Sequence, residues 1–83
     1  MNSVQQKINQ HIIDKLGVEE SVVQDDASFA DDLGADSLDV FELLAEIEKD
    51  FDIKIPDEDA ERLRTVGALK NYIMKLVSSV EVH

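Results

Sequence analysis

Val4, Ile8, Ile12 and Leu16 recur every fourth residue and give way to Gly17, the spacing of a single apolar stripe on a helix. Ser3 and Gln6 have the S-x-x-Q form of a capping box, so a first helix is expected from Ser3 to the glycine stop. A long connection follows, from Gly17 to Asp36. A structureless loop of that length is unusual in a small domain, so Val22, Val23, Phe29 and Leu33 are expected to pin it to the core. The second helix begins at Asp36 or Ser37 and reaches about Phe51, with Asp36 as the capping carboxylate and Gly34 supplying the turn before it. "FDIKIP" alternates apolar and polar but has no partner strand, and reads as an extended loop with Ile53 and Ile55 turned inward. After Pro56, "DEDAERLR" predicts a short third helix capped by Asp57, with Ala60 and Leu63 inside. Thr65 caps a fourth helix, on which Val66, Leu69, Ile73, Leu76 and Val80 repeat at three and four. The expected fold is all-α: a small four-helix bundle with a short third helix and a long ordered loop between the first two, one domain spanning residues 1–83.

The second helix carries two apolar groups. At about 100° per residue, Val40, Leu43, Leu44, Ile47 and Phe51 fall within an arc of about 100°, the width of a core-facing stripe. Leu38, Phe41 and Ala45 fall on another side, separated from that arc by Glu48 and flanked by Asp39, Glu42, Glu46 and Lys49. Single exposed apolar residues are ordinary, whereas three aligned within a ring of acid favour a docking surface.

The formal charge of −11 is gathered in the middle of the chain: between Asp25 and Glu61 stand fifteen acids against two bases. Such a field repels nucleic acid and anionic membranes and steers encounter with basic protein surfaces. The bland alternative is a solvated face that keeps the protein soluble. No cysteine is present, which excludes disulfides, thiolate catalysis and cysteine-bound metal. With no signal-like start and no apolar run of membrane-spanning length, the chain reads as a cytoplasmic protein.

"DDLGADSLDV" sets Ser37 between acids at the head of the second helix. Serine there is most simply a first-turn residue. Catalysis requires a base within hydrogen-bond reach, and the two histidines, His11 and His83, lie on the first helix and at the last residue. There is no G-x-S-x-G elbow, and Asp36 and Asp39 disfavour a developing oxyanion. No catalytic residue and no metal ligand is expected: Asp50, Asp52 and Glu61 match positions of a calcium-binding loop, but Lys54 and Ile55 stand where that loop needs a ligand and a glycine. A third reading also fits the position: an exposed first-turn hydroxyl is a good place to carry a phosphate ester, which the free amides and the helix dipole stabilise.

At this point a resemblance becomes specific. "DDLGADSLD" followed by "FELLAEIEKDFDIKIPDEDAERLRTV" resembles the acyl carrier proteins of dissociated (type II) fatty-acid synthases, closely from about Ser28 to Tyr72 and generically before it. The resemblance implies a non-enzymatic carrier that holds acyl intermediates as thioesters on 4′-phosphopantetheine. Ser37 is then the attachment residue, Asp36 belongs to the modification motif, and Leu38, Phe41, Glu42, Ala45, Glu46 and Glu48 lie on the partner-reading helix. It further implies a phosphopantetheinyl transferase, synthase enzymes with basic docking patches and the acyl chain as partners of a monomer. Phe41 stands where relatives often have a small β-branched residue, and Ala45 where they often have methionine. A specialised carrier for polyketide-like or other secondary chains is therefore an alternative, and an acidic adaptor without a prosthetic group is a second.

Overall fold

The computed structural model describes the backbone of residues 3–81 and the side chains of residues 4–77. Its elements are α1 (Ser3–Leu16), a single 3₁₀ turn (Glu20–Val22), α2 (Ser37–Phe51), α3 (Asp57–Ala60) and α4 (Val66–Glu81). No strand occurs among the described residues. One isolated bridge, Ser28 with Thr65, ties the long connection to the head of α4.

The four-residue stripe of α1 is the buried one. Ile8 and Ile12 are fully enclosed, with Val4 and Leu16 packed at the edges. Gly17, at φ +67°, ends the helix in the left-handed region, and its amide donates to the Ile13 carbonyl at 2.9 Å. The side chain of Ser3, and with it the capping box expected there, lies outside the described residues.

The connection between α1 and α2 is anchored by Val23, Ala27, Phe29, Leu33 and Ala35, all buried. Val22 is not among its anchors, contrary to the expectation from sequence. It ends the 3₁₀ turn and is 42% exposed. In so tight a turn Val22 and Val23 cannot both face inward, and Val23 takes the core. Backbone hydrogen bonds complete the anchoring: Phe29 N–H to the Arg64 carbonyl (3.0 Å), Val66 N–H to the Ala27 carbonyl (3.0 Å) and Gly67 N–H to the Asp25 carbonyl (2.7 Å). A Cβ at position 67 would lie 2.8 Å from that same Asp25 oxygen, so glycine is what lets α4 and the loop approach.

Leu43, Leu44 and Ile47 of α2 are buried, with Val40 and Phe51 at the border of the core. The expected third helix shrinks to one turn. Pro56 rather than Asp57 occupies its capping position, and Leu63 is buried beyond its end. Three successive acids, Asp57 to Asp59, suit the head of a helix and give it little reason to continue. On α4, Val66, Leu69 and Ile73 are fully buried, and the Thr65 hydroxyl accepts from the Ala68 amide at 3.2 Å, as a cap should. Val77 packs on the core rather than Leu76, and the side chain of Val80 lies outside the described residues.

Candidate functional site

The head of α2 is built by local chemistry. Gly34, also at φ +67°, turns the chain, and Asp36 caps the helix reciprocally with Asp39. The Asp36 carboxylate accepts from the Asp39 amide at 2.9 Å, and the Asp39 carboxylate accepts from the Asp36 amide at 3.3 Å. The Val40 amide donates to the Asp36 carbonyl at 3.1 Å. Of the first-turn amides this leaves those of Ser37 and Leu38, which point out of the helix end toward any anion placed there. Ser37 is the first helical residue and is exposed.

Beside it opens a cleft of about 530 Å³ between the long connection, α2 and the segment after α3, lined among others by Ser37, Val40, Phe41, Ala60, Leu63 and Arg64. A second cleft, about 280 Å³, lies between α2 and α3 with Leu44, Ala45, Glu48, Ile55 and Ala60 on its walls. Phe41 and Ala60 line both, at the border the two clefts share. These walls are mostly apolar and are not sealed, the form of a site that admits a flexible chain rather than one that encloses a rigid ligand.

The other residues expected on the partner-reading helix divide into two sets. Leu38 (63% exposed), Phe41 (44%) and Ala45 form an exposed apolar group. The acids around them have neighbours of their own. Glu42 meets Lys15 of α1 at 2.8 Å, and Glu46 lies 3.6 Å from the same ammonium and 3.9 Å from Nδ1 of His11. The hydrogen bond to Glu42 and the two nearby negative charges outweigh partial desolvation and raise the Lys15 pKa. The Glu48 carboxylate accepts from the Ile55 amide at 2.6 Å. None of these contacts was legible in the sequence, because each depends on how α1 and the α2–α3 connection cross α2.

His11 is committed elsewhere than Ser37. Its Nε2 lies 2.9 Å from Asp50, thirteen residues or about 20 Å along α2 from the serine. Tyr72 on α4 ties down α3, its hydroxyl donating to Asp59 at 2.6 Å. Burial first, then that hydrogen bond and the charges of Asp59 and Glu48, push the phenol up to about 12. Asp50, Asp52 and Glu61 do not converge, and no group of three or more potential metal ligands occurs among the described residues.

Known proteins agree with this geometry. The sequence profile of the phosphopantetheine attachment site matches residues 6–73. The chain belongs to the acyl carrier proteins. It is similar to the acyl carrier protein of Enterococcus faecalis, at 42% identity and a TM-score of 0.75, over 87% of this chain and 91% of that one. It is also similar to a candidate acyl carrier protein from Anaplasma phagocytophilum, at 28% identity and a TM-score of 0.78, over 87% and 85% of the two chains. As a family member the chain is a carrier rather than an enzyme, and its cofactor is 4′-phosphopantetheine. The fit is physical as well as formal: an exposed hydroxyl, two outward amides and an open cleft meet at one helix end. No helix among the described residues is long and apolar enough to cross a membrane.

Proposed function

We propose that the chain carries acyl intermediates of fatty-acid biosynthesis on 4′-phosphopantetheine attached to Ser37. The observation that carries this is the coincidence of the exposed Ser37 hydroxyl with the mouth of the cleft. When bound, the group supplies a thiol at the end of a long arm. The chain's own residues do the rest. Asp36 fixes the helix start so that Ser37 faces outward, and the Ser37 and Leu38 amides stabilise negative charge at that oxygen. Apolar walls at Val40, Phe41 and Leu63 offer partial shelter to a hydrocarbon.

Leu38, Phe41 and Ala45, rimmed by Glu42, Glu46 and Glu48, form the docking surface for a phosphopantetheinyl transferase and for synthase enzymes with basic patches. The carrier works as a cytoplasmic monomer. A small apolar centre suits a protein that must leave each enzyme quickly, since weak contacts dissociate fast. Phe41 at the border of the two clefts also favours a second reading, a specialised carrier whose chains differ in shape from simple saturated ones.

The decisive experiment is intact mass after co-expression with a phosphopantetheinyl transferase. One added prosthetic group is expected on the wild type and none on Ser37→Ala, which folds normally because Asp36 keeps the cap. A group found on another residue, or a Ser37→Ala protein that still gains one, overturns the assignment.

A further inference from the structure

Arg64 is the one basic side chain on the cleft that opens at Ser37, and it shares those walls with Asp31, Asp36 and Glu61. Despite that company, it forms no ion pair with any described residue. Its side chain makes a single hydrogen bond, from Nε to the Glu61 carbonyl at 3.4 Å, which leaves the two terminal amino groups of the guanidinium available. Its backbone is held firmly. The carbonyl accepts from the Phe29 amide, the neighbouring Thr65 bridges to Ser28, and Leu63 before it is buried. A sphere with the volume of the cleft is about 10 Å across, comparable to the combined reach of an arginine and a modified serine.

We propose that Arg64 is a positioning residue for the prosthetic arm, its guanidinium pairing with the phosphodiester on Ser37 and drawing the arm along the cleft rather than out into solvent. This rests on the reading of Ser37 as the attachment residue. A planar guanidinium matches two phosphate oxygens at once, which an ammonium does not. Arg64 is exposed, so such a pair in free solution would be weak. Here the phosphate is tethered on the same cleft, and a short tether raises its effective concentration at the guanidinium into the millimolar range or above. The pair is correspondingly partial and sensitive to salt. It biases where the arm lies without locking it, as a carrier requires.

The test uses the full-length holo protein. Intact mass first establishes one prosthetic group on the wild type, Arg64→Gln, Arg64→Lys and Arg62→Gln. The ³¹P resonance of each is then recorded at low salt and at 1 M NaCl. At low salt the resonance of the Arg64→Gln protein is expected to move toward that of the free phosphodiester and to narrow, with Arg64→Lys between it and the wild type and Arg62→Gln at the wild-type position. Wild type at 1 M NaCl should approach the Arg64→Gln position, because screening there extends only about 3 Å. A resonance unmoved by Arg64→Gln, or moved equally by Arg62→Gln, overturns the role of Arg64 while leaving Ser37 intact. Absence of the added mass on the wild type overturns the reading of Ser37 itself.

Discussion

Removing the Glu48 carboxylate separates a structural clasp from a docking charge. Glu48 holds the α2–α3 connection at three amides: its carbonyl accepts from Asp52 and from Ile53 (3.1 Å), and its carboxylate accepts from Ile55 at 2.6 Å. Ile55 is buried, so in Glu48→Ala its amide is left in a place where water replaces the lost partner poorly. Hydrogen bonds to charged groups contribute about 1.5–3 kcal/mol, and an unsatisfied buried donor costs a similar amount. Alanine returns a few tenths through its helix propensity, and loss of one negative charge from a protein at −11 relieves some repulsion. A net loss of about 2 kcal/mol is expected, which for a domain of this size lowers Tm by about 8–16 °C. Glu48→Gln keeps an acceptor without the charge and should lose about half as much. Thermal melts followed at 222 nm, repeated at 1 M NaCl to screen repulsion, provide the measurement, with hydrogen exchange at the Ile55 amide as the local reporter. If Glu48→Ala melts within about 2 °C of wild type in both salts and the Ile55 amide exchanges no faster, the carboxylate holds nothing.

The folded state keeps the Tyr72 proton up to about 12 whereas an unfolded chain releases it near 10, so the stability linked to this group is present below pH 10 and lost as pH rises from 10 to 12. Tyr72→Phe should cost about 1 kcal/mol at pH 7 and flatten that alkaline limb in melts between pH 9 and 12; an unchanged limb would mean other groups cause it. Phe41→Val joins the two clefts, and the rise in Tm on loading a medium acyl chain should grow in this variant, since each methylene newly buried contributes about 0.8 kcal/mol; an equal rise in both proteins would place the chain outside these clefts. Leu38→Ala should lower kcat/KM with the transferase at every salt concentration while the melt stays near wild type, and Glu46→Gln, whose charge is already shared with Lys15 and His11, should flatten the salt dependence only slightly. Wild-type rates in both variants across the salt series would remove α2 from the docking surface.

What could be read from the sequence is what depends on neighbours along the chain. Asp36 and Thr65 cap their helices because a carboxylate or hydroxyl there reaches an amide three residues on, whatever the tertiary fold. The two arcs of α2 follow from helical period alone, and Leu43, Leu44 and Ile47 went inward while Leu38 and Phe41 stayed out. The misreadings arise where two neighbours compete for one interior place: Val22 against Val23, and Leu76 against Val77. Alternation in hydropathy cannot decide between adjacent apolar residues. "DEDAERLR" has the composition of a longer helix than α3, yet buried Leu63 is reached by turning the chain after Ala60 rather than continuing the helix. Contacts across the bundle gave no sequence signal. Lys15 with Glu42, Glu48 with the Ile55 amide and Tyr72 with Asp59 are created by packing.

Those cross-bundle contacts change the meaning of the acidic charge. On α2, the acids facing α1 meet Lys15 and His11, so much of their field is spent within the molecule. On the other side Asp57, Glu58 and Glu61 are exposed and form no ion pair among the described residues, and Asp57 and Glu61 line the two clefts. A basic surface approaching within a Debye length of about 8 Å is therefore drawn more strongly to the α2–α3 side, where the clefts open, than to the α1 side. Because steering acts on encounter and short-range contact acts on residence, the two features divide the work of docking. On the proposed docking surface, unpaired acid would bring a partner to the face from which Ser37 projects, and Leu38 and Phe41, with little area to bury, would set the register without holding the complex together for long.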